Sequence, residues 1–332
     1  GVLDIRTNIL ADTDALYLTA IDKYGHELWR WTFPVNKLNQ QTEQLFPLSS
    51  RPTYTETEND LTVKANKRTF IFSKKDGQLK GVSVDNRKIS FANGPRFIGA
   101  RRADRSLDQF YNHDDEKAKE KDRTYSEFPD AAVFTKLDVK EDGGNLVVTA
   151  NYKLGNLDKA QWTINPSGDL ALDYTYNFSG VVDLMGIRFD YPEDQVISKR
   201  WLGAGPYRVW QNRIHGTQYD IWENDYNDPI PGETFTYPEF KGYFGNVSWM
   251  NIQTKEGTIS LTNETPDAYI GVYQPRDGRD RLLYTLPESG ISVLNVIPPV
   301  RNKVNSTDLC GPSSQPKWVN GPQTGRVIFR FM

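Results

Sequence analysis

Apolar and polar residues alternate with a period of two along much of the chain. From Leu170 to Phe178 every second residue is Leu, Tyr or Phe, and Ala, Asp, Thr and Asn stand between them. The same alternation covers Leu28 to Phe33 and returns at the carboxyl end, from Arg326 to Phe331. A period of two is the spacing of side chains on one face of a strand, so the pattern predicts half-buried β-strands.

Short runs rich in Gly, Asp, Asn and Pro separate these alternating stretches and predict tight turns. Four of them are Lys75-Asp76-Gly77, Glu141-Asp142-Gly143-Gly144, Asn165-Pro166-Ser167-Gly168 and Arg276-Asp277-Gly278. Helical periodicity hardly occurs. The sequence therefore predicts a mostly β fold, built as an antiparallel sandwich.

Two segments interrupt the alternation. Val35 to Pro52 is rich in Gln, Asn, Ser and Pro, which indicates a linker and a domain boundary near residue 50. His113 to Arg123 is a charged run, which predicts a short solvated helix or a mobile loop. The chain starts at Gly1 inside an apparent approach to a strand, so we interpret it as an excised part of a longer polypeptide.

Composition excludes several classes of partner. The 332 residues carry 40 basic and 43 acidic side chains, interspersed along the chain, and a net charge of −3. This balance favours neither nucleic acid nor an anionic membrane surface as a partner. Cys310 is the only cysteine, so an internal disulfide and a thiolate metal site are both excluded. The sequence leaves localisation open, with a periplasmic or extracellular place favoured if the parent carries a signal peptide.

One segment, Trp201 to Arg213, combines two Gly, a Pro, two Trp and two Arg in thirteen positions. Gly and Pro end a strand because Gly tolerates positive φ and Pro cannot donate to a sheet ladder. We expect a stiff loop that presents aromatic faces and guanidinium groups outward, as a saccharide site requires. The alternative is a core loop in which Trp201 and Trp210 are packing residues.

Four blocks in this order resemble the carboxyl-terminal, small-chain region of glycoside hydrolase family 2 β-galactosidases. They are Phe70-Ile-Phe-Ser-Lys-Lys-Asp-Gly-Gln-Leu79 with Gly94-Pro-Arg-Phe97 and Arg102-Ala103, then Met185-Gly-Ile-Arg-Phe-Asp-Tyr-Pro192, then Trp201 through Arg213, and finally Tyr237-Pro-Glu-Phe-Lys-Gly242 through Trp249. The third block is the most specific, since it is similar to the family's Gly-x-Gly-Pro-x-Glu-Asn-Tyr-x-Asp-Arg loop.

The resemblance implies a fold and a division into domains. Residues 15 to 31 look like the last strands of the immunoglobulin-like domain that precedes the small-chain domain in those enzymes. Residues 1–50 would then be a remnant of that domain with its linker. Residues 51–332 would be the small-chain domain, with a galactose mutarotase-like antiparallel supersandwich from about residue 53.

The resemblance also implies a function. In the family this domain flanks a barrel that holds both catalytic carboxylates, and this chain contains no barrel sequence. We therefore expect a non-catalytic chain without a cofactor, which helps to bind a galactoside or related glycoside beside the catalytic barrel of the same parent polypeptide. Two departures leave a different glycoside open, because Arg208-Val-Trp-Gln-Asn-Arg213 replaces the acidic motif and Asp104-Arg-Ser-Leu-Asp108 replaces an Asp-Asn-Asp sequence.

Five residues are candidates for contact with carbohydrate. Glu239 matches the family's Glu in a Pro-anchored loop, although it could equally order that loop through backbone hydrogen bonds. Trp318, in a late loop before the last strand, would correspond to a Trp that stacks on sugar in the resembling enzymes, with a packing role as the alternative. Arg213 and Trp210 belong to the third block, and Arg102 to the first.

Other chemistry has weaker support. The oxygen-rich stretches Asp220–Asp228 and His113–Glu116 lack the spacing of calcium or zinc ligands, so we expect solvated turns and no metal site. Ser179 and Ser289 stand outside a Gly-x-Ser-x-Gly elbow, and Gly203-Ala-Gly205 does not open a helix that could bind phosphate.

Two alternative functions stay open at this point. A stand-alone carbohydrate-binding module would need an exposed stacking face, for which the candidate rings are Trp210, Trp222, Trp249 and Trp318. A sugar epimerase or lyase would need a histidine paired with a carboxylate, and the large domain offers His113 and His215.

Overall fold

The computed structural model describes residues 13–35, 51–102, 125–225, 241–275, 286–300 and 311–332. In these ranges the chain forms antiparallel strands, two 3-10 turns (Glu193–Gln195 and Pro312–Ser314) and no α-helix. The predicted mostly β class is confirmed. Among the same residues there is accordingly no helix of the length and hydropathy that crossing a membrane requires.

An amino-terminal hairpin lies outside the two large sheets. Its strands β1 (Ala15–Ile21) and β2 (Glu27–Pro34) pair antiparallel, with Leu18 opposite Trp31. The predicted alternation holds, but Leu18, Trp29, Trp31 and Phe33 on one side of the hairpin are exposed in the described structure.

The described residues include a ten-stranded antiparallel sheet. Its strands are β3 (Thr53–Glu56), β4 (Asp60–Ala65), β5 (Arg68–Ser73), β6 (Leu79–Val84), β7 (Arg87–Ile89), β8 (Ala92–Arg102), β9 (Tyr125–Glu127), β14 (Leu184–Asp190), β19 (Tyr269–Gly271) and β20 (Ile291–Val296). The order across the sheet is β19-β20-β14-β8-β6-β5-β4-β3, with β7 paired to β6 and β9 to β8.

A nine-stranded sheet, counted over the same described ranges, forms the second layer. Its strands are β10 (Val133–Asp142), β11 (Asn145–Lys153), β12 (Leu157–Ile164), β13 (Leu170–Val182), β15 (Val196–Gly205), β16 (Gln218–Asp225), β17 (Trp249–Thr254), β18 (Gly257–Asn263) and β21 (Lys317–Phe331). The order is β10-β11-β12-β13-β21-β18-β17-β15-β16, so the last strand of the chain pairs in the middle of the sheet.

The two sheets pack face to face over an aromatic core. Phe72 of the ten-stranded sheet lies 5.9 Å from Trp162 of the nine-stranded sheet, and Phe91 lies 4.9 Å from Phe329, measured between ring centroids. Tilted ring pairs of this kind stabilise a core beyond the area that they bury. The expected antiparallel supersandwich is therefore the observed architecture.

Three of the four predicted turns lie in the described residues, and each connects two paired strands. Gly77, Gly143 and Gly168 all have positive φ, at 73°, 59° and 83°, which explains why glycine stands there. The fourth turn, at Arg276-Asp277-Gly278, lies outside the described residues, as do the charged run at 113–123 and nearly all of the expected linker.

A buried ion pair ties the β12–β13 turn to the last strand. Arg330 donates from Nε and Nη2 to the two carboxylate oxygens of Asp169, at 2.5 and 2.7 Å, and both side chains are only 13% exposed. Beside them the buried Arg68 donates to the carbonyl oxygens of Phe331 and Ser167. The carboxylate thus neutralises cationic charge that the fold places away from water.

Replacing Asp169 with Asn should lower the free energy of unfolding by about 3 kcal/mol, because it leaves the Arg330 guanidinium buried without its counter-charge. The matched control is Asp60→Asn, which breaks the more exposed ion pair with Lys80 and should cost less than about 1 kcal/mol. Urea unfolding of both variants measures the difference. Equal losses in the two variants would contradict the assignment.

The hairpin contacts the edge of the nine-stranded sheet through Tyr17, whose hydroxyl donates to the Asp220 carboxylate at 2.5 Å. Burial, then the hydrogen bond to Asp220, raise the pKa of Tyr17 to about 12 from 10.0. The folded state therefore favours the protonated phenol. Its contribution to hairpin docking is complete below pH 10 and is lost as the pH rises from about 10 to about 12.

Tyrosinate absorbance of the wild-type chain minus that of Tyr17→Phe should show one phenol that titrates near pH 12. In an Asp220→Asn background the same difference curve should move to lower pH, since the carboxylate no longer opposes ionisation. A wild-type difference curve centred near pH 10 would mean that the hairpin does not dock through this bond.

Candidate functional site

The third sequence block forms a loop that follows β15. The strand ends at Gly205, where a Cβ would lie 2.4 Å from the Trp222 ring, so only glycine permits this close approach. The Gly205–Pro206 peptide is cis. Before the turn, Trp201 is buried, donates from Nε1 to the Ala204 carbonyl at 3.0 Å and packs edge-on against another core ring. The expected loop after the strand is present.

The loop folds inward rather than outward. Trp210 is only 1% exposed and packs edge-on against Tyr243, with 5.9 Å between ring centroids. The expectation that this ring faces solvent is wrong, because the loop covers the outer face of the ten-stranded sheet and forms a second apolar cluster there. Its other members include Ile98, Ala100, Leu184, Val209, Leu294, Ile297 and Val300.

Two side chains of the loop hold the segment that leads to the last strand. Gln211 donates from Nε2 to the carbonyl oxygens of Ser313 and Gln315, at 2.8 and 2.6 Å. Asn212 donates to the Val300 carbonyl at 2.6 Å and accepts from the Val300 N–H at 2.8 Å. Asn212 stands where the family motif has Asp, and an ionised Asp could not donate to that carbonyl. This departure therefore has a structural role.

Trp318 follows the segment that Gln211 holds. It is 72% exposed, whereas the next residue, Val319, packs against the main core. Its predicted accessibility is confirmed, but its predicted place in a loop is wrong. Trp318 is the second residue of β21 and pairs with Val181 of β13. A strand holds the indole more rigidly than a loop would.

The remaining candidates have different surroundings. Arg102 is only 8% exposed at the end of β8, so its side chain is not on the surface. Its backbone N–H donates to the buried Asp183 carboxylate at 2.9 Å. Arg213 is half-buried, and its backbone N–H donates to the Trp210 carbonyl at 2.8 Å. Glu239 lies outside the described residues. The structure thus places Trp210 and Arg213 in one loop, whose Gln211 bonds to the segment before Trp318, and it places Arg102 in the interior.

Sequence reasoning did not identify a buried cationic cluster behind this loop. The guanidinium of Arg208 and the ammonium of Lys199 both lie 4.9 Å from the centroid of the Tyr273 ring. Both cations are buried, and a desolvated cation over an aromatic face is stabilised by the ring quadrupole. Arg208 is the residue that replaces the family's acidic residue, so this departure places a cation against Tyr273 in the interior.

The alternative functions gain no support from these positions. Trp210 and Trp249 are buried, so the four-ring stacking face expected of a stand-alone binding module is wrong. His215 is exposed, and His113 lies outside the described residues. No cluster of three or more potential metal-ligating side chains occurs in the described ranges, and Asp220 there accepts the Tyr17 hydroxyl.

The backbone is similar to those of several solved structures, among them an epimerase, an epimerase homologue and a putative mutarotase. A galactose 1-epimerase from Lactobacillus acidophilus is 9% identical with a TM-score of 0.47, and the match covers 86% of this chain and 99% of that one. A GalM/aldose epimerase homologue from C. elegans is 6% identical with a TM-score of 0.38, covering 84% and 99%. A putative mutarotase from Salmonella typhimurium is 9% identical with a TM-score of 0.36, covering 87% and 98%.

No curated protein matches the chain in sequence. The family model for the beta galactosidase small chain matches residues 64–298, which is well over half of the chain and includes β5 to β20. The chain therefore belongs to the beta-galactosidase small-chain family.

Proposed function

We propose that this chain is a non-catalytic, carboxyl-terminal part of a family 2 glycoside hydrolase and helps to bind the sugar held by a neighbouring catalytic barrel. Membership of the small-chain family supports the enzyme class. The observation that carries the binding role is the indole of Trp318, which is 72% exposed at the start of a long strand. Sugar C–H faces stack on such rings.

The neighbourhood of Trp318 suits an interface with another module. Gln211 donates to the Gln315 carbonyl, so the backbone that leads to the indole is ordered before any ligand binds. Asn320 lies two residues further along the same strand and accepts a hydrogen bond from Ser179 at 2.9 Å. The strand end thus offers one apolar plane beside an ordered amide, which is the combination that a pyranose ring requires.

The amino-terminal hairpin supports a second element of the proposal, namely that residues 1–50 are a remnant of an immunoglobulin-like domain. Cross-strand pairing places Leu18 opposite Trp31 and Leu16 opposite Phe33, so one face is wholly apolar. Leu18, Trp31 and Phe33 are each at least 40% exposed. An apolar sheet face of this kind is typical of one layer of a sandwich.

The chain alone should not turn over nitrophenyl galactosides or other nitrophenyl glycosides, because we assign both catalytic carboxylates to the barrel. The polypeptide that joins this chain to the barrel should be active in the same assay. Robust turnover by residues 1–332 alone would rule out the proposed non-catalytic role.

Trp318→Ala in the barrel-containing polypeptide should lower kcat/KM by about two- to tenfold, which corresponds to the roughly 0.5–1.5 kcal/mol of one aromatic stacking contact. Trp318→Phe should restore most of the loss, since a smaller ring still stacks. Lys317→Ala is the matched control, because it changes the exposed neighbour on the opposite side of the strand. Unchanged kinetics for Trp318→Ala would remove this residue from the site.

A further inference from the structure

A cavity of about 510 Å³ lies on the outer face of the ten-stranded sheet, beside the second apolar cluster. Ile187 and Phe189 on β14 are buried in the main core, so Arg188 between them points to the opposite face. The side chains that dominate the cavity wall are charged or carry an amide. They are Arg96, Arg188, Asp190, Glu193, Gln274 and Glu288.

The floor of the cavity is a pair of arginines. Arg96 and Arg188 are direct cross-strand partners on β8 and β14, and their side chains are 28% and 20% exposed. Like charges in this position repel, so the pair needs compensation. Arg96 donates to Asp190, and Arg188 donates to the Glu288 carbonyl and lies 3.7 Å from the Glu127 carboxylate. The Nε atom of each arginine is buried without a hydrogen-bond partner among the described residues.

The walls supply acceptors and one fixed amide. The Gln274 N–H donates to the Glu193 carboxylate at 2.8 Å, and its side chain donates to the Leu286 carbonyl at 2.7 Å. Both bonds hold Gln274 with its amide oxygen available to accept. The cavity therefore combines donors on its floor with oriented acceptors on its walls before any ligand binds.

The charge balance selects the class of ligand. Three carboxylates line the cavity against two guanidinium groups, which disfavours an anion. A further carboxylate, Asp130, lies close to both arginines, and burial still raises its pKa. The two guanidinium groups on the floor would repel a cation, and a wholly apolar ligand would add no acceptor to either of them. A neutral molecule dense in hydroxyl groups satisfies both sets, because each hydroxyl donates and accepts.

The rim adds an apolar surface. The ring of Pro192 is exposed beside the charged wall, so C–H groups of a ligand can pack on it while its hydroxyls meet Arg96 and Arg188. This division into a polar and an apolar side matches the two faces of a pyranose ring.

We propose that this cavity is a second saccharide site, which binds one neutral sugar ring and is separate from Trp318. The site needs no barrel and goes beyond the proposed function, since its residues all belong to the described part of this chain. Arg188 is its central donor, because it lines the cavity and stands between the core residues Ile187 and Phe189 on β14.

Saturation-transfer NMR tests the site on residues 1–332 carrying Trp318→Ala, so that the first candidate contact cannot contribute. The probes are D-galactose, D-glucose, lactose and, as an anionic comparison, D-glucuronate. At least one neutral sugar should bind, more tightly than glucuronate. Arg188→Met, which keeps the aliphatic stem, should weaken that binding at least about tenfold through the loss of charged hydrogen bonds.

Arg87→Met makes the same chemical change on an exposed part of the same sheet and should leave the binding unchanged. Glu288→Trp, at an exposed rim position, provides a second variant that blocks the cavity even if Arg188→Met fails to fold. Absence of binding by every neutral sugar, preference for glucuronate, or full binding by Glu288→Trp would each overturn the site. None of these results affects the expected kinetic loss of Trp318→Ala in the barrel-containing polypeptide.

Discussion

The antiparallel pairing of β21 is the interaction on which the rest of the structure depends. This strand, the last of the chain, hydrogen-bonds to β13 on one side and to β18 on the other, and so joins the strands β10 to β13 to the strands β15 to β18. Its inner residues, such as Phe329, pack in the aromatic core, and Arg330 neutralises Asp169. Without β21 the nine-stranded sheet would split into two smaller sheets with open edges, and the entropy of closing the chain would not be recovered.

The same strand connects the core to the proposed sugar contact. The carboxyl-terminal half of β21 packs in the core through Phe329 and Phe331, and the strand begins at Lys317, one residue before Trp318. Gln211 fixes the turn just before that point, and Asn212 fixes Val300. The loop after β15 thus has two structural roles. Its Trp210 ring packs in the second apolar cluster, and its Gln211 and Asn212 side chains hold the segments that precede the strand carrying Trp318.

The sequence predicted the features that depend on local periodicity and turn chemistry. The alternation from Leu170 to Phe178 became β13, and Gly77 and Gly168 took the positive φ that their turns need. Trp210 could not be placed, because the pattern does not show that a loop covers the outer face of a sheet. Trp318 follows a Gly- and Pro-rich stretch that is typical of a loop, and only pairing with Val181, a distant residue, makes it part of a strand.

The cavity was hidden for a related reason. Arg96 and Arg188 stand ninety-two positions apart, and only the register of β8 with β14 makes them neighbours. Arg188 stands next to the core residue Phe189 in the ten-stranded sheet. Trp318 stands next to Val319, which packs against the same core, in the nine-stranded sheet. Both side chains therefore point away from the shared core, on opposite layers of the sandwich. Because the two layers present separate surfaces, a sugar bound in the Arg188 cavity does not compete with a sugar bound at Trp318. A substitution that abolishes one site should therefore leave the other site intact.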